Sequence, residues 1–254
     1  MVQVTPTNRR DLLRAGAAFS AQGALTTGCA TTGTATAAPS ATTPASPSPS
    51  ASPTRLPFQV TRGPRTTAAV ALTFHGQGDP ALADQLLTTA EQHGAHLTVL
   101  AVGSWLDAYP AMARRVLDGG HDLGNHTQRH VSVNAMAEAD ARKEITECAD
   151  RLKRLTGSIG SWFRPSRAPT ASPLVARLAA EAGYPHVLSY DVDSLDYTRP
   201  GASAITRKVL AEVTGGSVVS MHFGYPDTVA ALPDVLQELH RRGLRAVTTT
   251  ELLS

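Results

Sequence analysis

Beyond about residue 58, apolar and polar positions alternate between two periods. Short runs of continuous apolar or β-branched character are followed by stretches whose apolar residues recur every three or four positions. The first kind predicts strands at Ala68–Phe74, His96–Val102, His121–Gly124, His186–Asp191, Ser217–His222 and Arg245–Thr249, with a further short one at Trp162–Arg164. The second predicts helices at Pro80–His93, Trp105–Asp118, Ala135–Leu155, Pro173–Ala182, Ala202–Val213 and Thr228–Arg242. Asp79-Pro80 sets a capping side chain before a first-turn proline. Gly94, Gly119, Gly157, Gly183 and Gly243 stand where left-handed caps end helices. Strands that alternate with helices predict an α/β domain with a parallel sheet. About seven such units in roughly 195 residues suit a small (β/α) barrel better than an open sheet.

The N-terminal part has no such pattern. Residues 1–29 carry Asn8-Arg9-Arg10 ahead of a mildly apolar stretch, Ala15 to Leu25, and then Leu25-Thr-Thr-Gly-Cys29. An arginine pair, an apolar run and a cysteine in that order read as a twin-arginine-like export signal followed by a lipoprotein cleavage site, with lipidation at Cys29. The apolar run is too short to span a bilayer, so membrane contact is expected only through that lipid anchor. Residues 30–57 are almost entirely Thr, Ala, Ser, Pro and Gly, which bury too little apolar area to offset ordering entropy. They read as a disordered tether. Residues 58–254 form the folded domain, placed on the outer face of the membrane or secreted.

Composition removes alternatives more than it adds any. A net charge of +2 over 254 residues gives no reason to expect a nucleic-acid surface. Two cysteines, Cys29 and Cys148, cannot build a disulfide framework. Cys148 reads as a small buried hydrophobe, and Trp105 and Trp162 as core aromatics. There is no Gly-x-Ser-x-Gly elbow and no Gly-rich phosphate loop after a strand.

In a barrel, functional residues gather at the C-terminal ends of the strands. There the sequence places His75 and Asp79, then Asn125-His126-Thr-Gln-Arg-His130, then Arg164, then Asp191-Val-Asp193-Ser-Leu-Asp196, and finally His222. His126 and His130, four residues apart, would share one helical face and can share a metal.

These residues carry a resemblance. The domain resembles the polysaccharide deacetylases of the NodB-homology type, carbohydrate esterase family four, over nearly all of residues 66–253. The resemblance implies a distorted (β/α) barrel, a divalent metal, most often zinc, and hydrolysis of N- or O-acetyl groups on sugars. The family's Thr-Phe-Asp-Asp-Gly corresponds to Thr73-Phe74-His75-Gly76-Gln77, so both of its aspartates, a base and a metal ligand, are replaced. His-Ser/Thr-x-x-His is intact as His126-Thr127-Gln128-Arg129-His130. Arg-Pro-Pro-Tyr-Gly is partly kept as Arg164-Pro165-Ser166-Arg167-Ala168, which implies that Arg164 orients the base and that a backbone N–H near Arg167 holds an oxyanion. Asp-x-x-Asp-Trp appears as Asp193-Ser-Leu-Asp196-Tyr197, with Asp193 as partner of the acid and Asp196 and Tyr197 at the substrate. Leu-x-His survives as Ser220-Met221-His222, with His222 as general acid.

Two histidines hold zinc weakly, and a catalytic site normally has three protein ligands. Asp79 is taken as the third, since Gly76 and Gly78 let its loop fold back, with His75 as base; His75 as the third ligand is the alternative. An imidazole base suits neutral pH, and a nearby Arg164 would keep His75 unprotonated. The expected function is an exported, monomeric, metal-dependent deacetylase acting on an acetylated polysaccharide or peptidoglycan. The alternative is a non-catalytic glycan-binding module of the same fold.

Overall fold

In a computed structural model, residues 56–254 are described. The expectations for the export signal, for Cys29 and for the tether up to residue 55 lie outside them. Among the described residues, eight strands are interspersed with helices in chain order. The strands are β1 (Gln59–Val60), β2 (Ala69–Gly76), β3 (Thr98–Ala101), β4 (Asp122–Asn125), β5 (Val187–Leu188), β6 (Val192–Asp193), β7 (Val218–His222) and β8 (Arg245–Val247). The helices are α1 (Pro80–Gln92), α2 (Gly103–Ala108), α3 (Ala111–Asp118), α4 (Glu138–Thr156), α5 (Pro173–Glu181), α6 (Ala202–Glu212), α7 (Pro226–Arg241) and α8 (Thr249–Leu252). Among the described residues, no helix is long and apolar enough to cross a membrane.

All paired strands run parallel, in the order β4-β3-β2-β7-β6. Phe163 bridges Asn125 on one side and Val187 on the other, β1 pairs with β5, and Arg62 bridges Ser217 at the base of β7. These contacts carry the sheet round into a distorted barrel. The distortion is sharpest at β2: β8 pairs with its first half, Ala69 to Ala71, and β3 with its second half, Thr73 to Gly76.

β2 is buried along its whole length, as a strand covered on both faces must be. Val70, Leu72 and Phe74 pack outward with the helices, while Ala69 and Ala71 pack inward with Leu100, Leu188, Val218 and Trp162. Each of the large outward residues contributes about 1.5–3 kcal/mol by full burial. Because a strand's side chains alternate, His75 shares the inward face and Gly76 the outward one. On β7, Val218 is inward and Val219 and Met221 outward, so Ser220 and His222 face in. The register sets His75 beside His222, and the inward face brings both rings to the barrel mouth.

Several element boundaries differ from the sequence reading. The helix predicted over Trp105–Asp118 is two helices, because Pro110 has no N–H to continue the first and Tyr109 leaves helical geometry. Of the strand predicted over His186–Asp191 only Val187–Leu188 forms, as β5, and β6 begins beyond it at Val192. Gly119 keeps a right-handed φ of −79°, and Gly120, at φ 76°, makes the left-handed turn instead. Pro233 lies inside α7 without ending it. Trp105, Trp162 and Cys148 are buried.

Candidate metal and catalytic centre

The mouth of the barrel is an open cavity of about 370 Å³ whose wall includes His75, His130, Arg167, Asp193, Tyr197 and His222. His75 is the last inward-facing residue of β2 and lines this cavity. Its ring stacks on His126, with centroids 4.1 Å apart, and meets His222 edge-on at 4.3 Å.

His126 and His130 come from the loop after β4 and not from a helix, as their spacing had suggested. The loop doubles back through positive φ at Thr127 (68°) and His130 (54°), conformations that non-glycine residues adopt only when their surroundings hold them. The surroundings do hold them. The Asn125 side chain accepts from Thr127 N at 2.8 Å and donates to Ile145 O and Tyr184 Oη. Gly103 N and Ser104 N donate to the carbonyls of Thr127 and Gln128. The turn brings the two imidazoles to 4.9 Å between centroids.

Arg164 is fully buried beneath these rings. Its Nε donates to Leu188 O, its Nη2 to Ser189 O, both at 3.0 Å, and its Nη1 to His75 Nε2 at 3.2 Å. Burial lowers its pKa to about 10, with Tyr190 and Asp193 acting the other way, so it stays charged at neutral pH. The Arg164 carbonyl accepts from His126 Nδ1 at 2.9 Å. That bond fixes the His126 tautomer and turns its Nε2 lone pair toward the other imidazoles.

The hydrogen-bond inventory also fixes the other two rings. A guanidinium only donates, so His75 Nε2 must accept and His75 Nδ1 must carry the proton. His75 Nδ1 then donates to His222 Nε2 at 2.8 Å, and His222 Nδ1 donates to Asp196 Oδ1 at 2.7 Å. Asp196 is fully buried and also accepts from His222 N and Thr228 Oγ1, each at 2.8 Å.

Burial holds His75 well below the ordinary imidazole range, and His126, His222, Arg164 and His130 push the same way. Burial does the same to His126, followed by the charge of His130. His130 falls to about 4 through burial, then Arg167 and His222. Three neutral imidazoles side by side are in the form a metal needs.

His75, His126 and His130 each offer a ligand nitrogen, and these atoms lie within 4.8 Å of one another. His126 Nε2 is buried with no hydrogen-bond partner, and a buried polar nitrogen is rarely left so. The donor set suits a borderline-soft divalent ion such as zinc. His126 can give its lone pair freely; His75 gives one only by releasing Arg164 or His222.

Two expected roles are corrected, and a third moves to its alternative: His75, expected as the base, stands in the triad with its Nδ1 proton given to His222, the place of a third ligand. Asp79 is exposed and caps α1, accepting from Ala81 N at 2.8 Å, so it is not the third ligand. Its loop is turned away from the histidines by Gly78, whose backbone packs on Gly224 and whose carbonyl accepts from Trp105 Nε1. Asp193 is not the partner of His222. Its Oδ1 accepts from Leu195 N at 3.1 Å, and Asp196 takes the role instead. Arg167 and Tyr197 do reach the cavity, Tyr197 with its ring 5.4 Å from His222. Tyr190 and Tyr225 also line it and were not anticipated. Tyr225, three residues past His222, carried a readable signal as an aromatic on the loop leaving β7.

Residues 62–187 match the sequence family described as polysaccharide deacetylase. The chain is 31% identical over 194 residues to a peptidoglycan-N-acetylglucosamine deacetylase of Bacillus cereus, a match that covers 75% of this chain and 90% of that protein. It is 32% identical over 199 residues to a chitooligosaccharide deacetylase of Sinorhizobium fredii, covering 72% of this chain and 91% of the relative. Among solved structures, it is similar to a CE4 family pseudoenzyme from Bacillus anthracis, with a TM-score of 0.74 and 22% identity over 79% of this chain and 70% of the other. That last likeness speaks for the fold alone.

Proposed function

Because the chain belongs to the polysaccharide deacetylase family, we propose that it removes acetyl groups from an acetylated cell-envelope or extracellular glycan. The observation that carries this reading is the His75, His126 and His130 triad, set against the His222–Asp196 pair at one cavity. His75, His126 and His130 would hold a divalent cation, zinc by their ligand chemistry, which when bound would supply Lewis-acid polarisation of the acetyl carbonyl and a water of lowered pKa.

The protein's own groups handle position and protons. His222 Nε2 carries a lone pair in the observed hydrogen-bond chain, and Asp196 holds the ring's other nitrogen. Once His75 turns to the triad, that lone pair faces the cavity and can take a proton from the attacking water. The same nitrogen then delivers the proton to the departing amine. Burial keeps His75 neutral with Arg164 adding to it, Arg164 orders the ring from below, and a backbone N–H near Arg167, a residue that lines the cavity, would serve the developing oxyanion. Tyr197 and Tyr225 give the sugar ring apolar faces beside His222. Export through the arginine-pair signal, with a lipid at Cys29, is part of the same proposal and puts the domain where such glycans are.

The test is acetate release by the full chain loaded with zinc, cobalt or nickel, on chitooligosaccharides and peptidoglycan fragments, together with elemental analysis. One bound metal per chain, acetate release, and a loss of at least about 10²-fold in kcat for His222→Ala are expected. A non-catalytic glycan-binding reading draws on one observation, the engagement of both His75 nitrogens by Arg164 and His222. It predicts glycan binding without stoichiometric metal or acetate.

A further inference from the structure

We propose that the floor of this cavity, formed by Ser220, Tyr190 and Asp193, selects a hydroxyacetyl (glycolyl) amide over an acetyl amide. This rests on the deacetylase reading of the cavity and names the acyl group it takes.

Three buried hydroxyls in the surrounding wall are spent on protein acceptors. Thr73 Oγ1 donates to Val219 O at 2.6 Å, Ser189 Oγ to Pro169 O at 2.5 Å, and Thr228 Oγ1 to Asp196 Oδ2 at 2.8 Å. Ser220 differs. It is 1% exposed, lines the cavity, and its Oγ has no protein partner among the described residues. The atom is not sealed in either, so what remains of its surface opens on the cavity. Asp193 stands beside it. The two are register neighbours on β6 and β7, and because Val192 packs outward, Asp193 turns inward. Its Oδ1 accepts from Leu195 N, and its Oδ2 has no partner among the described residues. Tyr190 completes the floor. Its ring packs on the inward apolar cluster, its Oη makes no hydrogen bond among the described residues, and burial, with Asp193 adding to it, keeps the phenol protonated. The next inward residue below Ser220, Val218, is fully buried in that cluster, so the polar floor is also the end of the space.

These positions orient the amide. The sugar is its bulky end and stays at the open mouth, between Tyr197 and Tyr225. The nitrogen faces His222, so the acyl chain points down. Ser220 lies two strand residues, about 6–7 Å, deeper than His222. An acetyl group sets a methyl over three polar groups and excludes water from them without replacing its hydrogen bonds. A hydroxyl on the acyl α-carbon replaces them. It donates to Asp193 Oδ2, a charge-assisted bond, and accepts from Ser220 or Tyr190. A site built to pair a substrate hydroxyl discriminates against the analogue that lacks it. The reaction is unchanged in kind: the water oxygen joins the glycolyl carbonyl carbon, the C–N bond breaks, and the sugar's amine leaves with a proton from His222, releasing glycolate.

The test compares two probes that differ by one oxygen per acyl group: an N-acetylated chitotetraose and the same tetrasaccharide N-glycolylated. Release of free amine from each is followed with the metal-loaded full chain. The glycolyl probe is expected to be favoured by about tenfold in kcat/KM, the effect of one good hydrogen bond. In Ser220→Ala the ratio falls to within about threefold, and in Ser220→Thr, which keeps the hydroxyl, most of it remains. No preference in the unsubstituted protein, a preference for acetyl, or an unchanged ratio in Ser220→Ala overturns the proposal. Equal release from both probes does so while the deacetylase reading stands. If neither probe releases amine, calorimetric binding of the same pair decides. Tighter binding of the glycolyl probe that is lost in Ser220→Ala upholds this inference while the deacetylase reading falls, and equal or absent binding ends both.

Discussion

His75 Nδ1 lies 2.8 Å from His222 Nε2, joining the last inward residues of two adjacent parallel strands. Asp196 stands behind His222 and Arg164 behind His75, so four side chains form one hydrogen-bonded row under the cavity. A carboxylate at position 75, as in relatives with the Asp-Asp motif, has no N–H to give His222. The histidine does, and the row follows from that change.

Asp196 and Asp193 are separated by their effect on His222. Asp196→Asn keeps the shape but no longer offers a charged acceptor to Nδ1. We expect kcat to fall about 10²–10⁴-fold with KM little changed. Asp196→Ala leaves buried donors on His222 and Thr228 unpaired and also lowers Tm. Asp193→Asn should stay within about tenfold of the unsubstituted protein, because its observed bond closes a turn. Steady-state kinetics on one acetylated oligosaccharide reads both; equal losses would return the partner role to Asp193.

Metal content distinguishes ligand from cap. His126→Ala should abolish stoichiometric zinc by elemental analysis, since it removes the triad nitrogen that is buried without a hydrogen-bond partner. Asp79→Ala should leave zinc at one per chain and destabilise the fold by about 1 kcal/mol through its lost helix cap. That corresponds to a fall in Tm of about 2–4 °C for a domain of this size. Loss of zinc in Asp79→Ala would restore the carboxylate as ligand.

Gly76→Asp tests whether the missing family ligand can simply be put back. The position faces outward, and a Cβ there would lie 3.0 Å from Val99 Cγ1 and 3.1 Å from Ala101 Cα. We expect a loss of about 1–3 kcal/mol from overpacking, with no gain in metal affinity. Tighter zinc binding with unchanged Tm would contradict the facing assigned here.

Acid should destabilise the metal-free protein in a defined window. Burial holds His75 and His126 well below the ordinary range and His121 and His130 at about 4. Unfolded histidines take up protons near pH 6.5, so between that value and about 4 the unfolded chain binds more protons than the folded one. Stability from these groups is fully present above about pH 6.5 and is lost as pH falls toward 4. Tm of the metal-free chain, followed from pH 7.5 to 4.5, should drop steadily below 6.5. Added zinc should raise Tm most at the neutral end, where protons compete least. A flat profile would mean the cluster is not neutral.

Much of the rim was legible. An unbroken apolar run predicted β2 as a buried strand, and His75 and His222 were expected at strand ends, where they are found. What was not legible turned on backbone conformations the residue types do not announce. Leu195 adopts φ 56°, and the turn it makes carries Asp196, not Asp193, under His222. The His126–Thr127–Gln128–Arg129–His130 spacing looks helical, yet positive φ at Thr127 and His130 makes a loop that delivers the same two imidazoles.

By itself the sequence determined the α/β order and the buried character of the first long strand. It also put histidines, aspartates and an arginine at one end of the barrel. These follow from local periodicity and from burial, which act over a few residues. Only the tertiary structure decided that His75 pairs with His222, that Asp196 supports that pair, and that Asp79 caps its own helix. Those outcomes depend on strand register and on which donor lies nearest a given carboxylate. For Asp79 the nearest donor is an N–H two residues away, and a bond that local forms with little loop-closure entropy, whereas reaching the histidines would require the loop to fold back.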